Sequence, residues 1–220
     1  MQRKRGKRER NGELQNAIET YSEYVSKVAQ NLLALTAKGL GCDDAFEPAF
    51  GPDALQIQRL TRYPPTHESA MREPGQIGAG VHSDYGGFTV LYAEGPGLAV
   101  LKPNRTSNNV DTGTFSPELE VPNSGQWVEV DSIPGVFIVM AGEALQRLSN
   151  GQIYAAKHKV DFTGTMPRYS LAFFYDPNPE AILEPLKCFK KNSSPLYKAK
   201  VAGHKGVIRK LFRRDSKISE

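Results

Sequence analysis

Apolar residues recur at three- and four-residue intervals from Leu14 to Leu35, through Ile18, Tyr21, Val25, Val28 and Leu32. That period predicts one long amphipathic helix over 13–40. No proline interrupts it, and Gly39 and Gly41 stand where a left-handed cap would end it. The apolar stripe is broad, so the helix is expected to support something large. The period then changes. Residues 55–63, Leu-Gln-Ile-Gln-Arg-Leu-Thr-Arg-Tyr, alternate apolar and polar, which predicts a half-buried strand that Pro64-Pro65 ends. Polar residues 66–79 predict a loop. Further short strands are predicted around His82 and over Phe88–Ala93, Leu98–Leu101, Trp127–Val130, Phe137–Met140, Ile153–Phe162 and Tyr169–Tyr175. Gly and Pro punctuate them at short intervals, the pattern of an all-β sandwich or barrel. Residues 103–125, rich in Asn, Ser, Thr, Pro and Gly, predict a long surface insertion. Residues 141–151 read as a turn-rich connection and 176–197 as an irregular end to the core.

Composition adds limits to this mainly β architecture. A chain of 220 residues suits one domain with tails. No apolar run approaches the 18 or more residues of a membrane span, and the basic N-terminus has no apolar stretch behind it to make a secretory signal. The predicted organisation is a basic tail over 1–12, a domain over 13–186 and a basic C-terminal tail over 187–220. Residues 1–10 hold six basic groups and one acid. Residues 198–214 add seven more cations, from Lys198 to Arg214. Such ends suit nucleic acid, an anionic membrane or a nuclear address. The plainer account is solvated tails, and no aromatics interleave the N-terminal charges to stack on bases. Nucleic acid and membrane are therefore not expected partners. Cys42 and Cys188, far apart and outside any metal-ligand spacing, read as free thiols in a reducing compartment. That favours the cytoplasm, with the nucleus left open by the basic N-terminus.

The candidate chemistry sits in His82-Ser-Asp84, just before a Gly-Gly pair. In an extended chain, residues two apart share a face, so an imidazole and a carboxylate can reach one point. Alone, a His-x-Asp triplet is weak. A second histidine on a facing strand would complete a two-histidine, one-carboxylate face that leaves positions of an octahedral Fe(II) open. His158 is the candidate. Ten residues beyond it stands Arg168-Tyr-Ser170. If the chain forms a hairpin about Gly164, His158 lies opposite Ser170, and Arg168 shares its face roughly 7 Å away. A guanidinium there could grip the far carboxylate of a short dicarboxylic acid through two parallel bonds, and Ser170 would add a neutral donor.

Together these stretches resemble the iron(II)- and 2-oxoglutarate-dependent oxygenases of the isopenicillin-N-synthase-like family. The resemblance runs through Arg59-Leu-Thr-Arg-Tyr-Pro-Pro65, His82-Ser-Asp84 with Gly86-Gly-Phe-Thr-Val-Leu91, and Gly97-Leu. It continues through Gln126-Trp-Val, residues 141–151, His158-Lys-Val160 and Arg168-Tyr-Ser170. It implies a double-stranded β-helix, a jelly roll, behind the support helix. It implies Fe(II) on His82, Asp84 and His158, and 2-oxoglutarate as co-substrate on Arg168, Ser170 and Tyr63. Dioxygen, a small organic substrate and ascorbate as an accessory reductant follow from the same likeness. So does the reaction of a dioxygenase: hydroxylation or desaturation with release of succinate and CO2. Departures are Thr61 where the family often has Asn, Glu143 for Asp, Lys159 for Arg, the insertion at 103–125, and a front end that reads as short. The alternative is a non-catalytic jelly-roll binding domain with basic tails. A zinc hydrolase on the same three ligands ranks last, because it gives Arg168 and Ser170 no role.

Overall fold

The computed structural model describes residues 2–65, 78–103, 125–189 and 195–203. Most of the predicted 66–79 loop, the 103–125 insertion between its ends and the C-terminal tail beyond 203 lie outside the described residues. Helix α1 spans Gln2–Gly39. It starts well before the predicted residue 13, because the Arg, Lys, Glu and Gln of the basic stretch are good helix formers and no proline or cap stops them. Its end is a Schellman motif. Cys42 N–H donates to Ala37 O at 2.9 Å and Gly41 N–H to Lys38 O at 3.0 Å, with Gly41 at φ 69°. A short α2, Glu47–Phe50, follows.

The strands are β1 (Leu55–Tyr63), β2 (Ala79–His82), β3 (Phe88–Ala93), β4 (Leu98–Pro103), β5 (Gly125–Glu129), β6 (Ile138–Ala141), β7 (His158–Val160) and β8 (Arg168–Asp176). They form two four-stranded antiparallel sheets, β1-β8-β3-β6 and β2-β7-β4-β5. Successive strands pass from one sheet to the other except at β4–β5. That winding is the double-stranded β-helix, so the mainly β jelly roll with its support helix is what the chain forms. One prediction about it fails. β7 and β8 are not a hairpin: β7 pairs β2 and β4, whereas β8 pairs β1 and β3. The residues from Asp161 to Pro167 carry the chain between sheets, so His158 and Ser170 face each other across the sandwich rather than along one sheet.

Period-two alternation divides the larger sheet into two faces. Its outer face presents Phe88, Val90, Phe173 and Tyr175 to Val25, Ala29 and Leu33 of α1, all buried in one cluster. Ser22 Oγ adds a 2.6 Å bond to Gln58 Oε1 of β1. The buried stripe of α1 is narrower than its apolar pattern. Tyr24 and Leu35 are 67% and 65% exposed, because the helix packs on the sheet along one side, mainly against β3 and β8. The inner face, with the second sheet, encloses a smaller cluster of Leu91, Ala93, Leu98, Val160 and Phe162.

The turn-rich connection contains helix α3, Glu143–Leu148, which buries Ala144, Leu145 and Leu148. Residues 187–189 and 195–203, expected as the start of a tail, pack on the domain. β9 (Ile182–Leu183) pairs β10 (Lys200–Val201), and Phe189 stacks on Phe46 with ring centroids 6.0 Å apart. The expectation of free thiols is also corrected: Cys42 and Cys188, 146 residues apart, form a disulfide that ties the end of α1 to this segment. The disulfide removes the thiol argument for a cytoplasmic location. Among the described residues, no helix is long and apolar enough to cross a membrane.

Candidate active site

β2 ends at His82, and the pairing of β2 with β7 sets His82 directly opposite His158. Their ring centroids are 4.2 Å apart. Asp84 follows two residues later, where the chain leaves the strand. Its Oδ1 lies 3.8 Å from His82 Nε2 and 3.7 Å from His158 Nε2. The three candidate ligand atoms fall within 4.8 Å of one another. Each ring is oriented by its other nitrogen. His82 Nδ1 sits 2.7 Å from Gly80 O and His158 Nδ1 3.2 Å from Ala156 O. With Nδ1–H donating to those carbonyls, both Nε2 lone pairs turn toward Asp84, the arrangement that prepares histidines for a metal. Thr89 Oγ1 donates to Asp84 Oδ2 at 2.5 Å, which leaves Oδ1 to face the histidines.

The loop carrying Asp84 is held from behind. Glu143 N–H donates to Asp84 O at 2.8 Å, and Ser83 Oγ to Glu143 Oε1 at 2.7 Å. Gly142 is required there, since a Cβ would meet Gly86 O at 2.3 Å. Burial pushes the His158 pKa below its ordinary value, against the opposing pull of Asp84. The buried ring is thereby kept neutral, the form that binds metal. His82, with a side chain 47% exposed, marks the open side.

The other predicted residues meet the same cavity from the facing sheet. The register of β1 on β8 pairs Tyr63 with Arg168 and Thr61 with Ser170. Arg168 is 2% exposed. Its guanidinium carbon lies 5.0 Å from the Tyr63 ring centroid, and Nε makes a long 3.4 Å contact to Gly95 O. Nη1 and Nη2 are buried without a hydrogen-bond partner among the described residues. Burial lowers the Arg168 pKa while neighbouring Tyr63 opposes the fall. A buried guanidinium with two unused nitrogens is expensive unless an anion completes it. A planar carboxylate fits the pair of nitrogens, and Ser170, 6% exposed, stands two residues along the same face. The cavity, of about 100 Å³, is lined by all six predicted residues. The sequence reading overlooked Thr89, Arg59, Met140 and Phe174, which also line it. For Thr89 the signal was present: it is the polar residue between Phe88 and Val90.

Residues 52–177 match the family model described as the 2OG-Fe(II) oxygenase superfamily. The chain belongs to that superfamily. Among curated relatives of this chain, a 2-oxoglutarate-Fe(II) type oxidoreductase of Aspergillus fumigatus is 30% identical, over 80% of this chain and 46% of its own. Thebaine 6-O-demethylase of Papaver somniferum is 27% identical, over 83% and 44% respectively. The chain thus spans about half the length of the curated relatives it matches. Among solved structures, a full-length Neurospora crassa protein in complex with alpha-KG and 5-formyluracil superposes with a TM-score of 0.70 at 25% identity, covering 90% of this chain and 60% of that one. JOX2 with 2OG, Fe and JA gives 0.67 at 27% identity, covering 90% and 51%. His82, Asp84 and His158 can bind iron.

Proposed function

We propose that this chain carries the catalytic centre of an Fe(II)- and 2-oxoglutarate-dependent oxygenase that hydroxylates or desaturates a small organic molecule, releasing succinate and CO2. The observation that carries this reading is the buried, incompletely partnered guanidinium of Arg168 in the cavity that also holds the triad. A metal site alone gives no reason to bury that cation.

His82, Asp84 and His158 would hold Fe(II). Bound Fe(II) supplies the redox chemistry that couples oxidative decarboxylation of 2-oxoglutarate by dioxygen to oxidation of the substrate. Arg168 would bind the distal carboxylate of the keto acid through Nη1 and Nη2, with Ser170 as neutral donor and Tyr63 beside it. The Tyr63 ring, 5.0 Å from the guanidinium carbon, would help hold it in place, so that the keto acid would meet a prearranged clamp. Thr89 would keep Asp84 in one rotamer. Leu91, Met140 and Phe174 would exclude water from the reacting end. The working unit on this reading covers residues 13–203, since the segment to 203 closes the core that carries α1.

The test is anaerobic. Protein loaded with Fe(II) and 2-oxoglutarate is expected to show a weak visible charge-transfer band, strongly reduced in Arg168→Ala. Folded, iron-loaded protein without the band would sink the co-substrate assignment. Failure to take up iron would favour a binding domain.

A further inference from the structure

The cavity holds a second arginine, which neither the metal nor the keto acid uses. β1 alternation puts Arg59, Thr61 and Tyr63 on one face, and all three line the cavity. The register sets them opposite Ala172, Ser170 and Arg168 in turn. At roughly 3.3 Å per residue, Arg59 stands about 13 Å along the strand from Tyr63. The triad lies toward the Arg59 end. Asp84 is bonded to Thr89, and Thr89 is the register partner of Phe174. The Arg59 guanidinium carbon lies 5.7 Å from the Phe174 ring centroid. Arg168 is buried at one end of this face, then, while Arg59 is exposed at the other, the end toward which the metal residues lie. Among the described residues, no carboxylate forms an ion pair with Arg59, and Asp84 is committed to Thr89 and the two histidines.

We infer that Arg59 is the substrate-recognition residue and that the substrate is a small organic acid, its carboxylate held by Arg59 and its apolar body lying over Phe174. This rests on the oxygenase reading above, in which Arg168 is already occupied by the co-substrate. A carboxylate suits the site better than a phosphate monoester. One guanidinium matches a single negative charge with two parallel bonds, and among the described lining residues the only other arginine or lysine is Arg168, which the keto acid takes. Ala172, opposite Arg59, is small and leaves room beside the guanidinium. The competing role is structural, an arginine merely stacked on Phe174.

Matched probes separate the two. Protein loaded with 2-oxoglutarate and Zn(II), a diamagnetic ion that accepts the same ligands, is titrated with phenylacetate, 4-phenylbutyrate and octanoate. Each is paired with its primary amide, and phenyl phosphate is included. Ligand-observed NMR reads the binding. At least one acid is expected to bind about tenfold or more tighter than its amide and tighter than phenyl phosphate. Arg59→Gln should bring acid and amide to within about threefold. Arg59→Lys should retain part of the preference, and Arg59→Met keeps the apolar stem over Phe174 if Gln disturbs folding by circular dichroism. Equal binding of acid and amide, no acid binding, a phosphate preference, or an acid preference that survives both Gln and Met would each overturn the inference. The Fe(II)–2-oxoglutarate band of the unaltered protein is recorded alongside. Its absence sinks the oxygenase reading, whereas a normal band with no acid preference sinks the role of Arg59 alone.

Discussion

The two faces of one sheet are built from the same strands and solve opposite problems. On the outer face of β3 and β8, Phe88, Val90, Phe173 and Tyr175 meet the apolar side of α1, and burial of apolar surface is the whole purpose. On the inner face the same strands place Thr89, Arg168 and Ser170, all polar and all buried. Thr89 has its partner in Asp84, whereas Nη1 and Nη2 of Arg168 have no hydrogen-bond partner among the described residues. A single residue step along either strand thus separates packing from chemistry. Incomplete polar burial marks the face where a ligand belongs.

The sharpest way to break that contrast is to truncate each face in turn. Phe173→Ala should destabilise the fold by about 3–5 kcal/mol, read by urea unfolding, because it leaves a cavity under α1. If the protein tolerates it with less than about 1 kcal/mol, the outer face is not the structural one. Arg168→Ala should do the reverse. Unfolding should shift by no more than about 1 kcal/mol, since an unpaired buried charge is removed, while 2-oxoglutarate binding weakens by about a hundredfold, measured by titrating the charge-transfer band. A loss of folding comparable to Phe173→Ala would mean that Arg168 is structural. Thr89→Val keeps the shape and removes one donor from Asp84 Oδ2. Fe(II) affinity should fall by about tenfold in a competitive chelator assay, with stability nearly unchanged.

Acid–base behaviour sharpens the contrast from a different side. Asp176, at the end of β8, is pushed from 3.8 up to about 7, by burial first and by Asp84 second. The folded protein therefore binds this proton more tightly than the unfolded chain, and its contribution to stability is lost as pH rises from about 4 to about 7. His158 runs the other way. Burial lowers its pKa, so its contribution is present above 6.5 and is lost as pH falls below that value. In metal-free protein, Asp176→Asn should remove the decline with rising pH, measured as Tm against pH. A mutant profile parallel to the unaltered one would refute the assignment.

Much of the site was legible because it depends on local periodicity. The alternation of 55–63 read as a half-buried strand, and His82-Ser-Asp84 and Arg168-Tyr-Ser170 each put a pair of functional groups two residues apart. What connects those stretches was not legible. The predicted hairpin about Gly164 assumed that neighbouring strands pair, whereas β7 and β8 belong to different sheets. The pairing of His82 with His158 joins two strands of four and three residues, too short to carry a period. Helix α3 was hidden because its apolar residues are spread over barely two turns. The disulfide and the packing of 195–203 depend on contacts across most of the chain length, which no local pattern encodes.

The bond between Cys42 and Cys188 turns the stretch between them into a covalent ring. That ring contains β1 through β9, and with them the triad, Arg59 and Arg168. One cut anywhere in the ring opens it without dividing it. Every side chain that lines the cavity stays on a single covalent piece until the clasp itself is reduced.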